Sequence, residues 1–181
     1  MKQNNATIIV GPVRMSYAHI YSPRRNELAE RDEFSCVCLI PKESHQFLGD
    51  PEEQLTMLRE TIENAGSELK GSWKSPLKDG DKELNGQGQP RHPGYWYFNA
   101  KTGADYPPMV IDDRRVPIGK DSGWTSGDWA KVKVRVASYD AKVNKGVTIY
   151  LQAVQFLHKD EPFGSDPLAG FAPADDFDPF A

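Results

Sequence analysis

The chain has 181 residues, 38% of them apolar and 27% charged, with 15 Gly and 14 Pro; this describes one turn-rich globular domain with enough length to bury a core. No run approaches the roughly 18 to 20 apolar residues of a membrane-spanning helix, and Met1 to Asn5 lead into a strand pattern instead of a signal-peptide apolar region, so a membrane role is excluded and a cytoplasmic location is expected. The formal charge of −4 comes from 22 basic and 26 acidic residues, but six acids fall in residues 160–181, which hold no Lys or Arg, leaving residues 1–159 with 22 against 20, or +2.

Ala6 to Tyr21 alternates as a long strand, with Val13, Met15 and Tyr17 on one face and Arg14 and Ser16 on the other. Gly11-Pro12 marks a bulge or bend in it, and Ser22-Pro23-Arg24-Arg25 opens a polar turn. The second strand, Glu33 to Ile40, is apolar on both faces, as expected of an element covered on both sides. Its Cys36 and Cys38 share a face with Phe34 and Ile40, where cysteine serves as a small core residue. Two ligands without a suitably spaced His pair make no metal site. A helix follows: Asp50 caps it, Pro51 suits its first position, and Glu53 completes a capping-box spacing. Leu55, Leu58, Ile62 and Ala65 then recur at three and four, and Gly66 ends the run.

From Lys70 to Gly94 the sequence is polar and glycine-rich, which predicts a long mobile loop. Gly86-Gln87-Gly88 within it is no phosphate-binding fingerprint, because no strand precedes it and no helix follows. The third strand, Gly94 to Lys101, is the most aromatic stretch of the chain. Either Tyr95 and Tyr97 or Trp96 and Phe98 must leave its core face, so one pair is free to stack on bases unless the long loop or a dimer partner covers it. Arg91, Lys101, Arg114 and Arg115 flank this strand as candidate phosphate contacts, and Trp73, Trp124 and Trp129, in or beside loops, offer further surface. A short strand is expected within Pro107 to Ile111.

The last two strands, Asp128 to Tyr139 and Gly146 to His158, are joined by a hairpin-length connection. In the first of them Val132, Val134 and Val136 enter the core, while Lys131, Lys133 and Arg135 project from the other face at roughly 7 Å spacing, a stripe that matches extended phosphates. Five strands of uneven length, one inserted helix and no βαβ rhythm predict a mainly β protein, a small antiparallel barrel over residues 1–159. Asp105, Asp112 and Asp113 are the carboxylates a metal-dependent nuclease would use, but consecutive aspartates diverge on a strand. His19, His45, His92 and His158 show no nucleophile–base pairing. Neither an enzyme nor a cofactor is expected.

Residues 160–181 carry four prolines and end Asp175-Asp176-Phe177-Asp178-Pro179-Phe180-Ala181. Its carboxylates repel and its few apolar residues do not offset the entropy of ordering, so this acidic arm is expected to be disordered when free. Its aromatic residues Phe163, Phe171, Phe177 and Phe180 suit docking by anchors plus charge, with Asp175, Asp176, Phe177, Asp178 and Phe180 the partner-binding set.

The stretch Gly94 to Thr102, the late basic strand, the strand Gly146 to Phe156 after a hairpin, and the acidic tail together resemble the phage-encoded single-stranded DNA-binding proteins of the DUF2815 family, over residues 6–158. That family is similar to the phage T7 single-stranded DNA-binding protein. The resemblance implies an OB-fold that binds and protects single-stranded DNA during phage replication or recombination, with no cofactor. The tail resembles the acidic tips of bacterial and phage single-strand binders, which recruit replication or recombination proteins. Here Ala181 follows Phe180, so the terminal carboxylate is not on the aromatic residue, which points to a phage-specific partner. A protein–protein adaptor built on the same aromatic strand is the alternative expectation.

Overall fold

A computed structural model describes residues 5–48, 50–161 and 163. Its elements run β1 (Ala6–Asn26), β2 (Arg31–Pro41), α1 (Pro51–Gly66), β3 (Lys78–Asp79), β4 (Tyr95–Gly103), β5 (Met109–Ile111), a short 3-10 turn (Lys120–Ser122), β6 (Trp129–Asp140) and β7 (Lys145–His158). The strand order is β3-β4-β2-β1-β6-β7-β5, and a further pairing of β4 with β7 closes five strands into a barrel in the order β1-β2-β4-β7-β6. The closing contact is parallel, Lys101 opposite Tyr150. All other pairings within the barrel are antiparallel. This is the expected OB-type barrel, extended by two short strands: β3 on the edge of β4, and β5 beside β7.

Period-two alternation builds the interior. Val132, Val134 and Val136 of β6 meet Cys36, Cys38 and Ile40 of β2, Phe98 and Ala100 of β4, and Ile149, Leu151 and Phe156 of β7 in one core. The two cysteines are free thiols packed there, with sulfurs 3.9 Å apart. Burial pushes the Cys38 thiol well above its ordinary pKa, and the Cys36 thiol beside it adds to the effect, so it serves as an inert small hydrophobe. Helix α1 packs against β6, β1, β7 and β2; touching four of the five barrel strands, it stoppers one end of the barrel with Leu55, Leu58 and Ile62. Pro51 opens the helix as expected, and the Asp50 carboxylate accepts from the Glu52 N–H at 3.0 Å. Among the described residues no helix is long and apolar enough to cross a membrane.

Phe98 is wholly enclosed at the barrel centre. Phe98→Ala is expected to cost about 3 to 5 kcal/mol of stability, read as a fall in the urea midpoint with little change in its slope.

Three local expectations change. First, β1 continues through the segment read as a polar turn, so that Arg24 and Arg25 pair with Glu33 and Asp32 and the turn falls at residues 27–30. Second, the alternation of β1 breaks. The expected bulge at Gly11-Pro12 is present as a register shift between Val10 and Val13, but β1 also shifts against β2 between Ser16 and His19. Val13 and Met15 therefore face the core, whereas Ser16 is buried and Tyr17 turns outward. Gly11, at φ 144°, is required at the first bulge: a Cβ there would lie 2.7 Å from the Ala130 carbonyl oxygen.

Third, the loop read as mobile is a pinned hairpin. Gly80 N–H donates to the Tyr95 carbonyl at 2.8 Å and Arg91 N–H to the Glu83 carbonyl at 2.8 Å. Lys42 Nζ bridges the Asp79 and Asp81 carboxylates at 2.6 Å each. Those hydrogen bonds raise the Lys42 pKa and lower both aspartates, so the clamp is charged at neutral pH. Residues after β7 also hold to the body. The Trp129 indole N–H donates to Asp160 at 2.7 Å, and the Arg14 guanidinium lies 4.1 Å from the centre of the Phe163 ring. Asp175, Asp176, Phe177, Asp178 and Phe180 lie outside the described residues.

Candidate nucleic-acid interface

Register places five outward residues side by side around the barrel. His19 of β1 stands opposite Ser35 of β2, Ser35 opposite Lys101 of β4, Lys101 opposite Tyr150 of β7, and Tyr150 opposite Arg135 of β6. Paired residues point to the same side of a sheet, so this row forms part of a continuous outer surface. Over its β2–β4 part lies a cleft of about 830 Å³, bounded by the β1–β2 turn and by the ends of β6 and β7. In OB barrels this face, between those two turns, is the one that receives oligonucleotides.

The charge of the cleft is opposite to that of the chain. Arg24, Arg25, Arg31, Lys74, Lys78 and Lys101 line it, against Glu27 and Glu33 only. Glu33 is nearly buried and already committed, accepting from Asn26 Nδ2 at 2.7 Å and from Arg31 Nε at 3.2 Å. No carboxylate among the described residues reaches ion-pairing distance of Lys74, Lys78 or Lys101, so their charge is available to a ligand. His19 also lines the cleft, with Nε2 3.1 Å from the Arg24 guanidinium. Partial burial first, and the Arg24 charge second, lower its pKa from the ordinary histidine value, which favours the neutral ring that accepts from Arg24.

The cleft supplies flat apolar surface through Tyr17, Tyr139 and Tyr150. Tyr17 is 64% exposed at φ 45°, a left-handed conformation that a non-glycine residue adopts only when its surroundings enforce it. Its ring meets His92 edge-on at 6.4 Å, and His92 in turn covers Tyr97 at 4.7 Å. Arg135 stacks over Tyr150 with its guanidinium carbon 4.5 Å from the ring centre.

Along β4 the inward pair is Trp96 and Phe98. Phe98 is in the core, and Trp96 takes the same side, packed against the core under Lys42 and Arg59 at 5.0 and 4.8 Å. Tyr95 and Tyr97 face outward, yet Tyr97 is only 5% exposed because His92 of the hairpin sits on it. Burial, then the Glu83 charge, raises the Tyr97 hydroxyl pKa. Tyr95 accepts from Arg14 at 3.2 Å, outside the cleft. Neither Trp96 nor Phe98 offers a face for stacking.

Of the expected phosphate contacts, Lys101 lines the cleft and Arg135 adjoins it through Tyr150. Lys131 and Lys133 are exposed on β6 opposite Gln155 and Ala153 and do not line the cleft, which β6 meets only at Tyr139. Arg91 bonds the Leu84 carbonyl in the hairpin at 3.1 Å. Arg114 and Arg115 occupy the exposed turn after β5, where the Asp112 carboxylate accepts from the Arg114 and Val116 N–H groups at 2.9 Å. That use of Asp112 is structural, and among the described residues no group of three His, Cys, Asp or Glu is placed to hold a metal ion. The tryptophans lie outside the cleft too: Trp129 is fully buried against His45, Trp124 stacks on Phe156, and Trp73 covers Gly66.

Residues 6–180 match the family model described as the Enterobacter phage Enc34 single-stranded DNA-binding protein. Among solved structures, the Enc34 protein in complex with single-stranded DNA aligns with a TM-score of 0.70 at 24% identity, over 91% of this chain and 96% of that one. A C-terminal truncation of the Enc34 protein gives 0.71 at 25% identity, over 90% and 94%. The single-stranded DNA-binding protein of bacteriophage T7 gives 0.55 at 16% identity, over 96% and 98%, a likeness of fold. Comparison with curated proteins returned no match. The match takes in residues 6–158, over which the sequence resembles phage single-stranded DNA-binding proteins, and runs on to residue 180; this chain belongs to the family of the Enterobacter phage Enc34 single-stranded DNA-binding protein.

Proposed function

We propose that this protein binds single-stranded DNA without regard to sequence, as a non-catalytic coating protein in phage DNA replication or recombination. The observation that carries the proposal is the cleft: six Lys and Arg against two Glu, in a chain of net charge −4, lining the barrel face that suits a single strand. Phosphates meet Lys74, Lys78, Lys101, Arg24 and Arg31, while bases stack on Tyr17 and Tyr150, a sequence-tolerant interaction because every base has a flat face. Family membership supports the same reading, since the Enc34 protein is described as bound to single-stranded DNA. Every cation and tyrosine named in the cleft comes from one chain. The test is fluorescence anisotropy of labelled oligo-dT against a duplex of equal length, at about 50 and 200 mM salt. Salt-sensitive binding of the single strand is expected; equal binding of both would remove the stacking part.

Lys131 and Lys133 extend the phosphate path beyond Arg135 on longer strands. Replacing both by Ala should leave a short oligonucleotide that only fills the cleft unaffected. On a longer strand it should flatten the slope of log affinity against log salt by about 1.4, or about 0.7 per lost contact. An unchanged slope at every length would return these lysines to an ordinary solvated face.

The acidic tail is proposed to recruit replication or recombination proteins through Asp175, Asp176, Phe177, Asp178 and Phe180, and to act as a competing polyanion. Because Asp160 and Phe163 hold to Trp129 and Arg14, a clean deletion removes residues 164–181. That deletion should preserve or raise affinity for oligo-dT. A clear loss would contradict the competing-arm role.

A further inference from the structure

Leu28, at the tip of the turn between β1 and β2, is 100% exposed and lines the basic cleft. Its position is fixed. The strands pair up to Asn26 opposite Arg31, and the Asn26 side-chain oxygen accepts from the Leu28 N–H at 3.1 Å and the Ala29 N–H at 3.2 Å. The other end of the Asn26 amide donates to nearly buried Glu33 at 2.7 Å, and Glu30 closes the turn at φ 52°. A turn tied to the barrel in this way holds the Leu28 backbone in place while its apolar side chain stands in solvent. Arg24, Arg25 and Arg31 line the same cleft, with Glu27 beside Leu28 the one acid of the turn among them.

A branched apolar side chain exposed in a cleft with an excess of cations fits a ligand that is itself apolar and flat at one spot and anionic on either side. A nucleobase between two phosphates has that chemistry. Apolar wedges set between bases break the stack and hold the strand in a spread form, and removing Leu and base surface from water together is favourable. Resting on the reading that the cleft holds single-stranded DNA, we infer that Leu28 is a base wedge: it inserts against a base of the bound strand and keeps neighbouring bases apart.

The experiment uses the full chain with Leu28→Ala and Leu28→Trp. Full exposure of Leu28 means neither change removes a packing contact. Because the four native tryptophans lie outside the cleft, the fluorescence of Leu28→Trp above that of the unaltered protein reports on the wedge position. With an oligo-dT short enough to hold one protein, this added fluorescence should be quenched on binding. Leu28→Ala should lose about tenfold in affinity with its salt slope unchanged, since no counterion is involved. Two results overturn the wedge. One is Leu28→Ala binding within about twofold of the unaltered protein, against the tenfold loss expected of a lost base contact. The other is added Leu28→Trp fluorescence that changes only on strands long enough to hold two proteins, which would make Leu28 a contact between neighbours. Either leaves oligo-dT binding by the unaltered protein intact. Absence of that binding would instead remove the reading on which the wedge rests.

Discussion

Lys101→Glu is expected to lower affinity for oligo-dT by roughly 30-fold at low salt and to make the salt slope shallower by about 0.7. The lysine occupies the point where β4 and β7 close the barrel, between Ser35 and Tyr150, and no carboxylate among the described residues pairs with it. A charge pair at about 4 Å is worth roughly 1 kcal/mol in water and about four times that near a protein surface. Reversal removes an attraction and adds a repulsion, so about 2 kcal/mol is a modest expectation. Lys101 is half-buried but not part of the core, so the urea midpoint should barely move. Anisotropy at several salt concentrations separates the two terms: Lys101→Ala should share the slope change and lose less affinity. An unchanged slope in both variants would place the strand elsewhere on the barrel.

Replacing Tyr17 should separate binding from stability. Loss of one stacked base costs about 1 to 3 kcal/mol, or roughly 5- to 150-fold in affinity, and this applies to Tyr17→Ala and Tyr17→Gly alike. Stability should separate the two variants. The φ of 45° is unfavourable for Ala and tolerated by Gly, and little is buried by a ring that is 64% exposed. Tyr17→Gly should therefore be more stable than Tyr17→Ala by about 1 kcal/mol, measured by urea unfolding. Equal affinity of Tyr17→Ala and the unaltered protein would remove Tyr17 from the stacking surface.

Much of the barrel was legible because burial writes itself as alternation. Val132, Val134 and Val136 against Lys131, Lys133 and Arg135 set the inner face of β6, and the Asp50-Pro51 start with Leu55, Leu58 and Ile62 marked the helix. The cleft was less legible, for three physical reasons. The second bulge of β1, between Ser16 and His19, reverses alternation without a sequence mark of its own, so Tyr17 falls on the face of Val13 and Met15 by pattern alone. Which face of an aromatic strand is free depends on what folds over it, and His92, near the end of the hairpin that precedes β4, decided that for Tyr97 through tertiary contact alone. Cations from separate segments, Arg24 and Arg31 beside a turn and Lys74 and Lys78 in the long loop, converge only once the barrel closes. The pair Arg24-Arg25 followed shortly by Arg31 was the available signal, because a turn between the first two strands of such a barrel borders its binding face.

The most direct measurement is photocrosslinking of the full chain to an oligo-dT carrying 5-iododeoxyuridine, followed by peptide mapping. Crosslinks to Tyr17, Tyr139 or Tyr150, reduced by Lys101→Glu, are the predicted result. Crosslinks confined to the β6 face around Lys131 and Lys133, with none in the cleft, would contradict the account.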